Sequence, residues 1–314
     1  MNELVILFSV GPLPVTAYAL CLTLGALLGA LVTVALGRRR LGLDASLSLC
    51  LTVLPCALIG ARLLYFLTNL QYIQIDLGYP LGSFLWQLWE GGYTLYGAVL
   101  GGLAGVWLYA RFTRKPFAVL IDLTAPGAAL ALALARLGEC FTSQGLGKII
   151  DSESLHFFPL AVQDVWGDWA MPVFFYEALA AAIIAVIAWQ VLRRGGPAAE
   201  VAIVLLGLQQ VILESWRMDE FIRFGFVRFN QIVSAVLMAA VLALRIARAV
   251  HSRGWSAWQT LRIILYLVGI GVIIAIEFAL DKSTIDNRLL YVVMAGTLAV
   301  MGISLLAGDR RTKG

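Results

Sequence analysis

The sequence predicts an all-α integral membrane protein of about nine transmembrane helices, and three observations predict it. Of 314 residues, 61% are hydrophobic and only 13% charged, which leaves too little polar surface to coat a soluble globule of that size. The apolar residues gather in windows of about 20, the length that crosses a bilayer core as a helix. Lys and Arg fall in short clusters between those windows, as membrane flanks do. A formal charge of +4 is thereby read as membrane anchoring, with no nucleic acid as partner.

The spans are placed near 13–36, 46–67, 94–112, 117–139, 173–192, 199–215, 228–247, 262–280 and 289–307. The first is read as a retained helix. No basic region precedes it, and although Ala17-Tyr18-Ala19 resembles a cleavage site, the stretch before it is too short for a signal peptide. The sixth is the shortest, an apolar core from Val201 to Leu213 that carries Gln209 and Gln210.

Orientation follows from the cations. Arg38, Arg39 and Arg40, then Arg111, Arg114 and Lys115, then Arg193 and Arg194, then Arg245, Arg248, Arg253 and Arg262, and last Arg310, Arg311 and Lys313 occupy alternate connections. That side is cytoplasmic by the positive-inside rule, so the N-terminus lies outside and the C-terminus in the cytoplasm. Between spans seven and eight, Arg248, His251, Arg253, Trp255 and Trp258 predict an interfacial helix or linker. It divides a seven-span domain, 1–250, from a unit of linker and two further helices, 251–314. On the outer side, the stretches 69–92 and 140–172 carry Tyr72, Trp86, Trp89, Trp166 and Trp169, aromatic residues suited to the headgroup level. They are expected to cap or gate a cavity.

Eight cations do not fit the anchoring pattern: Arg62, Arg136, Lys148, Arg217, Arg223, Arg228, Lys282 and Arg288. A charge in or near hydrocarbon is costly unless it meets a partner or a wet cavity. Arg62, Arg136 and Arg217, with Glu139, Glu177 and Glu214, therefore form a candidate site on the outer half of the membrane; the competing reading is a set of ion pairs that hold helices together. Cys21, Cys50, Cys56 and Cys140 form no CxxC pair and no His stands at metal spacing, so the cysteines read as small buried hydrophobes and neither a metal nor a cofactor is expected.

Local patterns then point to a family. Gly11-Pro12-Leu13 precedes Tyr18, and Gly60-Ala61-Arg62-Leu63-Leu64-Tyr65 lies in span two. The run from Gly91 to Gly102 holds Tyr96, with Gly97, Gly101 and Gly105 at four-residue spacing, which also suits close helix packing. The most specific pattern runs from Ala135 through Arg136, Gly138, Glu139, Gln144 and Gly147; Pro172 to Leu179 contains Tyr176 and Glu177, Glu214-Ser215-Trp216-Arg217-Met218-Asp219 follows, and Asn230-Gln231-Ile232-Val233-Ser234 closes the series. In this collinear order the chain resembles the prolipoprotein diacylglyceryl transferase family of bacterial inner-membrane enzymes over about 1–250, leaving spans eight and nine as additions. It departs from the family pattern at Tyr96, where the family has His, at Glu139, where it has Asn, at Gln144, where it has Glu, and at Gln210, where it has Arg.

The resemblance implies transfer of the diacylglyceryl group of phosphatidylglycerol to the thiol of a cysteine in a lipobox signal peptide, with release of glycerol phosphate, in the cytoplasmic (inner) membrane of a bacterium. The chemistry needs a cation for the phosphodiester, a base for the thiol proton, and an apolar groove for chains and peptide. Arg136 is the expected phosphate ligand, supported by Arg62 and Arg217, whose guanidiniums Glu177 and Glu214 would orient. Tyr18 and Tyr176 are candidate donors to the headgroup, Tyr18 also reading as an interfacial anchor; Gln144 and Gly147 complete the expected binding set. The base is open between Tyr96 and Glu139, with His156 of the outer loop as a substitute. Two other functions fit the same residues: a same-fold lipid-modifying enzyme with another acceptor, and a non-catalytic lipid-binding accessory protein.

Overall fold

The computed structural model describes residues 5–10, 13–78, 80, 82–87, 91–219, 223–225, 227–283 and 285–307. Gly11, Pro12, Trp89, Arg310, Arg311 and Lys313, named above, lie outside the described residues. Among those described, nine long helices form the protein: α1 (Ala17–Gly37), α2 (Leu43–Thr68), α3 (Leu95–Thr113), α4 (Phe117–Gly138), α5 (Val173–Arg193), α6 (Ala198–Glu214), α7 (Phe229–Arg253), α8 (Ala257–Lys282) and α9 (Asn287–Leu306). Eight of them are long and apolar enough to cross a membrane, and the chain is a multi-pass membrane protein. The remaining one, α6, has 17 residues, which at about 1.5 Å per residue reaches the lower limit of a span.

Local chemistry sets several helix starts. Thr16 Oγ1 accepts from the Ala19 amide at 3.1 Å and Thr94 Oγ1 from the Gly97 amide at 3.2 Å, filling donors that a helix N-terminus leaves open. At α6 the cap comes from a neighbour: Asp122, buried in α4, accepts from the Ala199 amide at 2.9 Å. Small residues let backbones touch. A Cβ on Gly101 would fall on the Cys56 carbonyl, and one on Gly29 or Gly127 on the other's carbonyl, so the glycines of α3 seat it on α2 and those of α1 seat it on α4.

The connection between α7 and α8 is the linker of the two forms expected, and a short one. α7 continues through His251 to Arg253 and α8 begins at Ala257, so in place of an interfacial helix only 254–256 intervene, with Gly254 at φ 77° ending α7. The last two helices also share a core with α6 and α7, where Val204, Met238, Leu242, Tyr266, Met294 and Met301 are buried together. Arg245 and Arg262, read above as membrane-flanking anchors, are buried: Arg245 Nη1 donates to Leu305 O at 2.7 Å, and Arg262 donates to Ser304 O and Leu305 O at 2.9 and 3.0 Å. Both therefore bind the open carbonyls at the C-terminus of α9.

Short sheets, which the sequence pattern did not reveal, join the helices at one end. The strands Ile6–Val10 and Leu13–Thr16 pair ahead of α1, and Leu146–Ile149, Trp169–Pro172 and Val162–Gln163 form a three-stranded antiparallel sheet between α4 and α5. Between α2 and α3, Ile73 and Phe84 bury against Phe66, while Trp86 stays exposed. Cys140 is also exposed, against the expectation of a buried hydrophobe, because α4 gives way to a 3-10 turn at Glu139–Phe141.

Candidate active site

The end of the bundle that carries the short sheets gathers most of the predicted residues. Arg136 lies in the last turn of α4, where helix carbonyls favour a cation. Glu177 lies near the start of α5, Glu214 closes α6, and Arg217 follows three residues later. All four side chains are buried, Glu177 completely, at 0% exposed. Such charges persist only when paired.

Glu177 is the hub. Its Oε2 lies 2.6 Å from Arg217 Nη1 and 3.4 Å from Arg136 Nε, and its Oε1 accepts from Gln210 Nε2 at 3.2 Å. Arg136 Nη1 donates to Glu139 Oε1 at 2.6 Å and its Nη2 to Gln210 Oε1 at 3.4 Å. Gln210 Nε2 also donates to Glu214 Oε2 at 2.6 Å, one helical turn on, and Asn230 Nδ2 donates to the same oxygen at 3.0 Å. Arg228 Nη1 stands 3.6 Å from Glu214 Oε1. Among the described residues the cluster counts three guanidiniums, Arg136, Arg217 and Arg228, against four carboxylates, Glu139, Glu177, Glu214 and Asp219.

Arg217 lies beyond the spans, and its charge is secured. Burial opposes it, yet the carboxylates of Glu139, Glu177 and Asp219 outweigh burial and hold the guanidinium well above its ordinary pKa. Asp219 Oδ2 accepts from Arg217 Nη2 at 2.5 Å, and the same carboxylate accepts from the Gly145 amide at 3.1 Å. Gly145 is needed there: its φ is 75°, and an added Cβ would stand 2.5 Å from Glu139 Oε2 and 2.6 Å from the Phe174 Cβ. Gly147 pairs with Arg217 as an isolated β-bridge, beside the bond from the Met218 amide to Leu146 O at 2.9 Å. The loop after α4 is therefore tied to the segment after α6 through Gly145, Gly147 and Asp219.

One oxygen in the cluster stands apart. Glu139 Oε2 is buried and takes no directed hydrogen bond among the described residues, although Arg217 Nη1 lies 3.1 Å away. The ion-pair distance and the missing hydrogen bond agree if the N–H is aimed elsewhere, and Nη1 is nearer Glu177 Oε2. The oxygen keeps an acceptor position beside Arg217.

The remaining predicted residues divide. Tyr18, half-buried at the start of α1, lies within electrostatic reach of Glu139, Arg136 and Arg217. Tyr96 is buried and its hydroxyl is bound to Ser234 Oγ, with Glu214, Arg136 and Glu177 in electrostatic reach. Gln144 is exposed on the loop just before Gly145. Tyr176, one residue from Glu177, turns the other way: its hydroxyl donates to Pro159 O at 2.8 Å and its ring packs edge-on against Trp216. His156 likewise serves the outer loop, bonded to Ile150 O at 2.8 Å and stacked on Trp169.

Arg62 stands outside the cluster. Although only 3% exposed, it directs its donors to the carbonyls of Phe84, Gln87 and Gly92 at 2.5, 2.7 and 3.2 Å, and its guanidinium lies 3.8 Å above the Phe84 ring. It anchors the segment between α2 and α3. Sequence reasoning had counted Arg62 with the site because intramembrane charge alone cannot tell a carbonyl-bound arginine from a ligand-binding one. Conversely it gave no site role to Asn230, which binds Glu214, or to Ser234, which binds Tyr96, although both stood in the last motif.

A helical bundle with these buried guanidiniums and carboxylates gathered at one end defines a multi-pass membrane protein with a buried charge cluster. The family model for prolipoprotein diacylglyceryl transferase matches residues 5–247, and the chain belongs to that family. Similar proteins include the phosphatidylglycerol–prolipoprotein diacylglyceryl transferases of Streptococcus pneumoniae serotype 4 (strain ATCC BAA-334 / TIGR4) and strain Hungary19A-6, each 29% identical over 243 residues, 74% of this chain and 89% of theirs.

Proposed function

We propose that the protein transfers the diacylglyceryl group of phosphatidylglycerol to the thiol of a prolipoprotein signal-peptide cysteine, using the Arg136–Glu177–Arg217 cluster as its site. The supporting observation is the meeting of Arg136 and Arg217 on the fully buried Glu177. Two guanidiniums held in register by one carboxylate present fixed donors where a phosphate can be bound. In the proposed reaction the thiol sulfur attacks the carbon of the diacylglyceryl group that bears the phosphate. The carbon–sulfur bond forms as the carbon–oxygen bond breaks, and glycerol phosphate leaves with the electron pair.

Glu139 is the proposed proton acceptor. Its Oε2 keeps an acceptor position, whereas the Tyr96 hydroxyl is engaged by Ser234, and an ordinary tyrosine has a pKa of about 10, unsuited to a base near neutrality. The charge count gives the proton a second consequence. With four carboxylates facing three guanidiniums, an anionic headgroup enters against excess negative charge. A proton on Glu139 neutralises that excess and weakens its hold on Arg136 Nη1, leaving the guanidinium to bind the departing phosphate.

The proposed setting is a bacterial inner membrane with the site end outside and the arginine-rich end in the cytoplasm, as the cation pattern indicates. The division into a seven-span transferase domain, 1–250, and an additional unit, 251–314, belongs to the same proposal. The test is transfer to a lipobox peptide in vesicles of phosphatidylglycerol containing the full chain, read by mass spectrometry as a diacylglyceryl thioether. Arg136→Ala is expected to abolish the product; wild-type yield in that variant refutes the role of Arg136. A new lipid product with the peptide unmodified would assign a different acceptor.

A further inference from the structure

The two C-terminal helices lie beyond the matched stretch 5–247, yet they reach the supports of the site. α8 carries Glu277 as the one acidic residue within the apolar run 263–280, and it is 8% exposed. A carboxylate in that position is costly without a specific partner. Its Oε1 accepts from Gln231 Nε2 at 2.6 Å. The same nitrogen donates to Val211 O at 3.1 Å, and Gln231 Oε1 accepts from the Arg228 backbone amide at 3.1 Å. One amide side chain thereby locks the first turn of α7 between α6 and α8.

Arg228 passes this constraint to the site. Its Nη2 donates to the carbonyl of Arg217, its Nη1 donates to Asp219 O at 3.4 Å, and Nη1 stands 3.6 Å from Glu214 Oε1. Every one of these acceptors belongs to 214–219, the segment that carries Arg217 into the cluster. α9 reaches the same segment: the Tyr291 hydroxyl donates to Ser215 O at 3.5 Å and its ring meets Trp216 edge-on at 5.8 Å. Tyr291 also lies within electrostatic reach of Glu277 and Arg228.

We propose that Glu277, supplied by the C-terminal helix pair, is a positioning residue for the transfer reaction: through Gln231 and Arg228 it fixes 214–219 and so aims Arg217. The proposal rests on the transferase reading of the cluster. It assigns the additional helices a part in catalysis without contact to substrate. Displacement of a catalytic group by about 1 Å costs rate far more than it costs binding of a remote peptide.

The test uses the full chain in phosphatidylglycerol vesicles with a lipobox peptide, comparing wild type, Glu277→Leu, Glu277→Gln and, as a control on the exposed end of α8, Asp281→Asn. Amide hydrogen exchange over 214–219 is read alongside. Glu277→Leu is expected to lower kcat about ten- to a hundredfold, leave the peptide KM within about twofold, and speed exchange in 214–219. Glu277→Gln, whose oxygen still accepts from Gln231, restores kcat to within about threefold and restores protection, and Asp281→Asn changes neither. Wild-type kcat and exchange in Glu277→Leu overturn the proposal, as does an equal loss in Leu and Gln. If Glu277→Leu does not fold, Glu277→Asp, which withdraws the carboxylate by one methylene, must show the same kcat loss and faster exchange, and wild-type values in it overturn the proposal. Wild-type vesicles that modify no peptide refute the transferase reading instead, and the exchange difference at 214–219 then decides the positioning role by itself.

Discussion

Glu177 offers the sharpest test of the cluster, because it is completely buried and joins both guanidiniums. Replacing it with Gln preserves shape and removes one charge. At a separation of about 4 Å and an effective dielectric of about 20, each guanidinium loses about 4 kcal/mol of attraction. Relief from burying the carboxylate returns several kcal/mol, but Arg136 and Arg217 are left facing each other across a neutral amide. Removing one partner of a buried pair typically leaves a net loss of about 3–5 kcal/mol, a large part of the about 5–15 kcal/mol that holds a domain folded. The assay is thermal unfolding in detergent together with peptide transfer in vesicles. Glu177→Gln is expected to lower the midpoint and abolish transfer, and in a background lacking Arg217 the same substitution is expected to cost less than half as much. A Glu177→Gln protein with wild-type midpoint and transfer would refute the reasoning, since Glu139, which also bridges the two arginines, would then suffice as their counter-charge.

Four further outcomes follow from individual contacts. Glu139→Gln lowers kcat by about two to four orders of magnitude, as loss of a general base does; near wild-type kcat removes Glu139 from proton transfer. Gly145→Ala, at φ 75° and crowded against Glu139 and Phe174, costs about 1–3 kcal/mol in unfolding experiments and lowers transfer with it. Tyr96→Phe costs about 1 kcal/mol of stability by losing its bond to Ser234 and keeps transfer within about tenfold; loss beyond about a hundredfold returns the base to Tyr96. Arg62→Met releases the carbonyls of Phe84, Gln87 and Gly92 and speeds amide exchange in 82–87 and 91–94, which unchanged exchange would contradict.

The spans were legible because lipid demands long apolar runs, and eight of the nine helices meet that demand by length and composition. Their ends were harder. Thr16, Thr94 and Ser256 cap three helices, and a Gly at 254 stops α7, while the basic and aromatic residues nearby suited an interfacial helix as well as the linker that forms. Arg136, Glu139, Glu177, Glu214 and Arg217 were legible as a group because charge in an apolar run implies a partner. The identity of the partner was not, and for that reason Arg62 was counted with them. The short sheets were hidden, since strands of two to five residues fixed by loop contacts leave no alternating pattern. Glu277 was visible by the same logic that found Glu177, an acid alone in a hydrophobic helix, but it lay outside the motifs that directed attention.

The departures from the family pattern form one rearrangement when their partners are considered together. Gln210 stands where the resemblance leads one to expect a cation, and a guanidinium there would add positive charge between Arg136 and Arg217. The amide instead donates to Glu177 and Glu214 and accepts from Arg136, so it binds both signs of charge without adding either. Glu139 supplies an extra carboxylate on the opposite side of Arg136. One position thus loses positive charge, another gains negative charge, and Gln144, exposed on its loop, loses a negative charge, which leaves a net change of one unit toward negative. Charge for charge, this change opposes the binding of an anionic headgroup. In the reaction proposed above, the thiol proton taken up at Glu139 removes repulsion that opposes phosphate capture. The coupling has a signature that a histidine base beside an additional arginine would lack: Glu139→Gln should weaken turnover while tightening binding of phosphatidylglycerol, and equal weakening of both would break the argument.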